Sequence, residues 1–230
     1  MFGTAAILPI YLYLHTKYTE FETFNPIIST TRPRTLMVVS LLAVSIPAAV
    51  LLSAYSFASE FTRHTIIAGF ELSPLLLGAL VAIFSSTELK APRTSGDRIR
   101  HLYIFGGLAS GAAHLYTLAI TLLSQSESTK FGRVFLPSLS SVTSGSINNI
   151  HDGALLFLQY DWIVVNITCA AWVYLLLDSC QVLLGVRGWA TRGVLTLVST
   201  LLLGPGATVS CALYLREENL LVQYKQAYRR

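Results

Sequence analysis

The sequence predicts an all-α fold in which a bundle of helices crosses a lipid bilayer. Hydrophobic residues make up 53% of the 230 residues, whereas charged residues make up only 12%. An ordinary soluble domain carries about 25% charged residues. The apolar residues also form long runs separated by polar loops, as expected when each backbone must satisfy its own hydrogen bonds in lipid. We therefore predict a polytopic protein with a single transmembrane domain over residues 1–230.

The apolar runs predict about six spans, or seven. The first run, over residues 1–14, is short, because a straight helix needs about 20 residues to cross a bilayer. Longer runs follow near residues 35–57, 66–84, 101–123, 153–177 and 193–215, and residues 216–230 form a polar tail.

Glycine and proline indicate where these spans bend or pack closely. Pro47 in the second span predicts a kink, and Gly204-Pro205-Gly206 in the sixth predicts a break in a helix. Gly107 and Gly111 have the G-x-x-x-G spacing that lets two helices approach closely. His114 shares their face, so we predict that it points inward.

The connection from Ser124 to Asp152 is rich in serine and asparagine and is too polar to span. Its segment from Phe131 to Leu139 is more apolar. This segment is predicted either to lie along the membrane interface or to fold back over the mouth of a cavity.

Two carboxylates fall inside predicted spans. Asp161 would lie roughly 12 Å past Gly153 in a hydrocarbon layer about 30 Å thick, and Glu71 falls within the third span. A charge near the centre of a bilayer costs about 2.5 to 3.5 kcal/mol on insertion scales, so such residues usually have a function and face other helices or a cavity. Loss of water disfavours an ionised carboxyl group. We therefore predict Asp161 as a proton donor and Glu71 as a second acid or the final base.

Several polar and aromatic side chains near Asp161 are candidates for binding a substrate. Some flank it directly, others share its helical face, and His114 faces inward from the fourth span. Each also fits a structural role in helix packing. The candidates are Gln159, Tyr160, Trp162, Trp172 and His114.

Familiar motifs for other chemistries are absent from the sequence. It contains no Walker A motif, no H-E-x-x-H, no G-x-S-x-G, no G-x-G-x-x-G and no Asp-Asp pair. Cys169, Cys180 and Cys211 lack C-x-x-C spacing and are predicted to be small apolar residues. The formal net charge of +4 comes from loops and the tail. We predict no cofactor, no metal and no nucleic-acid partner; the predicted partners are the bilayer and a hydrophobic small molecule.

Three patches carry a family resemblance. They are F-L-Q-Y-D-W at Phe157 to Trp162, L-L-G-P-G-A-T at Leu202 to Thr208 and Y-L-R-E-E at Tyr214 to Glu218. These patches resemble the integral-membrane terpene cyclases of fungal meroterpenoid pathways, especially the ascofuranone and ascochlorin type. The opening from Phe2 to Leu14 is similar to the first span of that group.

The resemblance implies a cofactor-independent cyclisation of a prenylated aromatic or polyketide whose terpenoid chain carries an epoxide. An acid protonates the epoxide oxygen, and a double bond or an oxygen of the substrate closes the new ring. By this likeness Asp161 is carried over as the acid, and Glu217 as a polar, substrate-binding residue of the terminal motif. We predict that the multi-pass protein is located in the endoplasmic reticulum.

Two other functions fit the same residues. A small proton-coupled transporter would use the two acids with His114 as a relay, and self-association through the glycine face, giving a homo-oligomer, would supply the internal repeat that the sequence lacks. A non-catalytic assembly subunit would instead hold soluble enzymes at the membrane. In that case the basic loop from Lys90 to Arg100 would matter more than the acids.

Overall fold

The computed structural model describes residues 4–18, 38–54, 59–86, 97–138, 150–180 and 188–228. Within these ranges every regular element is a helix, which confirms the predicted all-α class. A π-helical turn at Leu41–Ser45 leads into α2. The α-helices are α1 (Thr4–Tyr18), α2 (Ile46–Ala54), α3 (Glu60–Glu71), α4 (Ser73–Ser86), α5 (Asp97–Leu123), α6 (Phe131–Phe135), α7 (Ile150–Ser179), α8 (Trp189–Leu203) and α9 (Pro205–Tyr228).

The chain forms two compact units. One is residues 25–102, and the other combines residues 1–24 with residues 103–230. In the first unit the hydroxyl of Ser59 caps α3 by accepting a hydrogen bond from the Thr62 amide at 3.3 Å. The chain bends by 44° between α3 and α4, close to Pro74.

In the part of the chain that the structure describes, two helices are long and apolar enough to cross a membrane. They are Ile99–Leu123 and Asp152–Ser179, and they coincide with the predicted spans 101–123 and 153–177. The bent pair of α3 and α4 gives a third if it is counted as one span. The other apolar helices described are shorter, since α1 and α8 each have 15 residues. The structure thus supports two or three crossings, and the count of six stays a prediction.

The long helices expose much apolar surface. Leu123, for example, is 81% exposed, and only 6% of the apolar stretch of Ile99–Leu123 is buried. Water-soluble monomers rarely expose contiguous apolar patches of this kind. Such surface usually contacts lipid or a protein partner.

Helix α7 lies at the centre of the second unit. Its buried side chains recur every three or four residues, which is the spacing of one helical face. Trp172, Val173, Leu176 and Leu177 of this face pack with side chains of two neighbouring helices, Leu12 of α1 and Ala212 of α9.

Helices α8 and α9 form a hairpin beside α7. Arg192, near the start of α8, bonds Asp178 at the end of α7 (Nη1–Oδ1, 2.5 Å), so α8 runs antiparallel to α7. The amide of Asn219 donates to the carbonyl of Cys180 at 2.5 Å, so the late part of α9 lies beside the end of α7, and α9 runs parallel to it. The two helices therefore double back at Gly204, where the sequence alone predicts a single broken span.

The hairpin packs against α5 through glycines. A Cβ atom on Gly107 would lie 3.2 Å from the Cβ of Ser210, and one on Gly111 would lie 3.4 Å from the Cβ of Ala207. These contacts run in opposite order along the two helices, so α5 and α9 are antiparallel. The glycine face of α5 is thus used within the protomer; whether it also supports a homo-oligomer stays a prediction.

Candidate functional site

Asp161 lies in the N-terminal half of α7, and its side chain is half-buried. It follows Asp152, the first residue of the apolar stretch, by nine residues, or about 13 Å along the helix. A carboxyl group therefore lies well inside the stretch that is apolar enough to span, as the sequence predicts.

Helix α6 packs on the same half of α7. The ring centroids of Phe135 and Trp162 are 4.9 Å apart. The buried amide of Gln159 donates to the carbonyl of Arg133 at 2.7 Å, and the Arg133 guanidinium pairs with Asp152 at 2.7 Å. This segment therefore packs on α7 within one turn of Asp161, and its predicted place, along the membrane interface or over the mouth of a cavity, stays a prediction.

We expect Gln159→Leu to release α6 from α7. The substitution keeps the side chain near its size but leaves the Arg133 carbonyl without this donor, at a cost of about 1 to 3 kcal/mol. Trypsin should then cleave after Lys130 or Arg133 roughly tenfold faster in membranes containing the folded protein. The matched control is Asp152→Asn, which breaks an exposed ion pair worth about 0 to 1 kcal/mol and should change cleavage little. Equal cleavage of Gln159→Leu and the unaltered protein would contradict this role.

The predicted aromatic residues separate into different environments. Trp162 is half-buried against Phe135, and Tyr160 is 40% exposed on another face of α7. Trp172 is 6% exposed in the α1–α7–α9 core, with its ring 5.8 Å from His15. It lies eleven residues, or about 16 Å, along α7 from Asp161. Only Trp162 and Tyr160 are therefore placed near the acid.

His114 lies at the tip of the hairpin. Its Nε2 is 3.0 Å from the carbonyl oxygen of Leu201. In a continuous helix that carbonyl would accept from the amide of residue 205, but residue 205 is a proline and has no N–H. The imidazole therefore donates through Nε2 and replaces the missing helical hydrogen bond. This is a packing role, and a role in binding substrate stays a prediction.

Glu217 lies at the opposite end of the bundle. It pairs with Arg216 (Nη1–Oε1, 2.6 Å), and the side chains of Arg216 and Glu217 are 15% and 12% exposed. The contact of Asn219 with Cys180 sets this part of α9 level with the end of α7. Glu217 is thus about 25 Å from Asp161 along the helix axis, and the two do not form one site.

Sequence reasoning missed Tyr103, whose phenol lies within electrostatic range of both Glu217 and Arg216. The sequence does contain a pattern that indicates it, because Tyr103 precedes Gly107 by four residues and so continues the glycine face of α5. Glu71 is the last residue of α3, in the other compact unit, and its side chain lies outside the described part of the structure. Among the described residues no three His, Cys, Asp or Glu side chains are grouped to hold a metal ion.

Comparison with known proteins gives one family and three curated relatives. The model of the CtvD domain matches residues 1–221. The relatives are "Terpene cyclase DEP1" of Fusarium langsethiae (27% identical, covering 95% of this chain and 66% of the relative), "Terpene cyclase DEP1" of Alternaria brassicicola (24%, 95% and 66%) and "Terpene cyclase alnG" of Emericella nidulans (24%, 94% and 61%).

The chain spans somewhat less than two thirds of the length of these relatives. No solved structure matches it. The relatives confirm the resemblance to fungal terpene cyclases that the local patches indicate. Because the domain match covers nearly the whole sequence, this chain belongs to the CtvD domain family.

Proposed function

We propose that this protein is a membrane-embedded terpene cyclase of fungal secondary metabolism. It would form a polytopic bundle of about six membrane segments in the endoplasmic reticulum. Its substrate would be a prenylated aromatic or polyketide whose terpenoid chain carries an epoxide. Support comes from the names of the three relatives and from one observation above all, the half-buried carboxyl group of Asp161 on the apolar helix α7.

In the proposed reaction Asp161 gives its proton to the epoxide oxygen. The C–O bond at the more substituted carbon breaks, the oxygen becomes a hydroxyl group, and positive charge develops on that carbon. A double bond of the chain attacks the carbon and forms the new ring bond, and a base then removes a proton from the resulting cation. Glu71 is our proposed base, or second acid. Atoms balance without any co-reactant, so the product is an isomer of the substrate.

The aromatic rings near Asp161 suit this reaction. Trp162 and Phe135 lie together within one turn of the acid, and Tyr160 is its neighbour in sequence. The face of an aromatic ring attracts a cation by about 2 kcal/mol or more when water is excluded. A carbocation that forms beside Asp161 would therefore be stabilised by the same part of α7 that supplies the proton.

The test is to incubate membranes that contain the full chain with prenylated aromatic epoxides. We expect a product with the mass of the substrate and a different retention time, absent from membranes without the protein. Flux across liposomes that follows a pH gradient, without any product, would indicate a transporter instead. Loss of a membrane-bound partner enzyme on deletion of residues 90–100, again without product, would indicate an assembly subunit.

A further inference from the structure

A second group of polar side chains lies at the end of the bundle away from Asp161, and the proposed ring closure does not use it. It consists of Tyr103 on α5 with Arg216 and Glu217 on α9, which we call the tyrosine cluster. The two charged side chains pair at 2.6 Å and are largely, though not completely, buried. The Tyr103 phenol lies in the electrostatic field of both.

Close packing of α5 on α9 brings these residues together. Gly107 contacts Ser210 and fixes the register of the two antiparallel helices. Tyr103 lies one turn before Gly107, and Glu217 lies two turns after Ser210, so both continue the contact in the same direction along the helix pair. A side chain on Gly107 would separate the helices, because its Cβ would lie 3.2 Å from that of Ser210.

The chemistry of the cluster selects a neutral oxygen-bearing group. The charges of Arg216 and Glu217 offset each other, so the cluster has little net attraction for an ion. The phenol can donate a hydrogen bond to an oxygen atom, and the carboxylate can accept one from a hydroxyl group.

Position in the bundle indicates that the ligand is an amphiphile. The cluster is level with the end of α7, where the polar contacts of Asp178 with Arg192 and of Cys180 with Asn219 begin. The apolar stretches of α5 and α7 extend from that level into the bundle. A ligand whose polar head group binds the cluster would therefore have its apolar chain alongside these helices.

We propose that Tyr103, with Arg216 and Glu217, binds the neutral hydroxyl or carbonyl head group of an amphiphilic substrate. The chemical class of that substrate rests on the proposed function, whereas the binding itself does not require turnover. The cluster is about 25 Å from Asp161, so Tyr103 is a binding residue and not a partner of the acid in catalysis.

The test is direct binding to the full chain in lipid nanodiscs. The ligands are a prenylated phenol without an epoxide and the same molecule with hydrogen in place of the hydroxyl group. We expect the unaltered protein to bind the phenol roughly tenfold more tightly, and Tyr103→Phe to bind the two ligands equally. The control is Tyr116→Phe on an exposed part of the same helix, which should keep the tenfold preference.

A second variant distinguishes a loss of binding from a loss of folding. Arg216→Gln combined with Glu217→Gln removes both charges together, and it should lose the preference for the phenol while keeping its elution as a single species. Equal binding of both ligands by the unaltered protein, or an unchanged preference in Tyr103→Phe, would overturn the proposal. A protein that keeps the preference but forms no isomer from an epoxide would leave this site standing and would refute the cyclase function alone.

Discussion

Asp161→Asn is expected to lower the rate of isomer formation by about 10²- to 10⁴-fold, which is the usual contribution of a positioned general acid. Asparagine has nearly the same size as aspartate and can occupy the same half-buried position on α7. It has no proton of comparable acidity to give to an epoxide oxygen. The measurement is the initial rate of product formation per folded protein, in membranes at saturating substrate, compared with the unaltered chain.

Asp178→Asn is the matched control for this experiment. Asp178 is a carboxylate on the same helix, but it is 45% exposed and pairs with Arg192 at 2.5 Å, about 25 Å from Asp161. We expect the rate of the Asp178→Asn variant to stay within about twofold of that of the unaltered chain. Loss of an exposed ion pair costs about 0 to 1 kcal/mol of stability, and no proton donor is removed. Full activity in Asp161→Asn would show that Asp161 is not the proton donor. A complete loss of activity in Glu71→Gln would then identify Glu71 as the donor.

The two long helices could be predicted from sequence because their signal is local. The fourth and fifth predicted spans are uninterrupted apolar runs, and α5 and α7 follow them within a few residues at each end. The depth of Asp161 followed directly, since a helix converts residue number into distance. The close approach of α5 to another helix also followed, from the spacing of Gly107 and Gly111 alone.

The course of the chain after α7 could not be predicted in this way. Gly204 and Pro205 indicate a break, but a break is compatible both with a bent span and with a hairpin. The contacts of Arg192 and Asn219 with the end of α7 show that the chain forms a hairpin. These contacts join residues far apart in sequence, so no local pattern contains them.

The residues of the candidate site could be predicted only in part, for the same reason. Gln159 and Trp162 were predicted beside Asp161, but their partners on α6 follow a polar loop whose path has no periodic signal. Glu217 belongs to a motif near the end of the chain, and only the packing of α9 on α7 places it far from Asp161. Residues on one helix could be ordered from sequence, whereas distances between helices could not.

Gly204→Ala is expected to destabilise the hairpin by about 3 kcal/mol or more. Gly204 has φ +88° and ψ 153°, a combination that is essentially restricted to glycine and costs other residues about 1 to 3 kcal/mol. The added Cβ would also lie 2.7 Å from Cγ of His114, and such overpacking costs about 1 to 3 kcal/mol. The effect is measured as a change in the thermal midpoint of the detergent-solubilised protein. The midpoint is obtained from the fraction of protein that elutes as a single species. Gly193→Ala is the control, because it lies within α8 with nothing within 4 Å of its added Cβ, and it should be neutral or slightly stabilising.

His114 allows the two costs of Gly204→Ala to be separated. In a His114→Ala background the clash is absent, so Gly204→Ala should cost only the backbone strain of about 1 to 3 kcal/mol. His114→Ala alone should destabilise by about 1 to 3 kcal/mol, because the Leu201 carbonyl loses the donor that replaces the missing amide of Pro205. If the two substitutions are strictly additive, the imidazole does not restrict the space at Gly204, and the cost of Gly204→Ala comes from backbone strain alone.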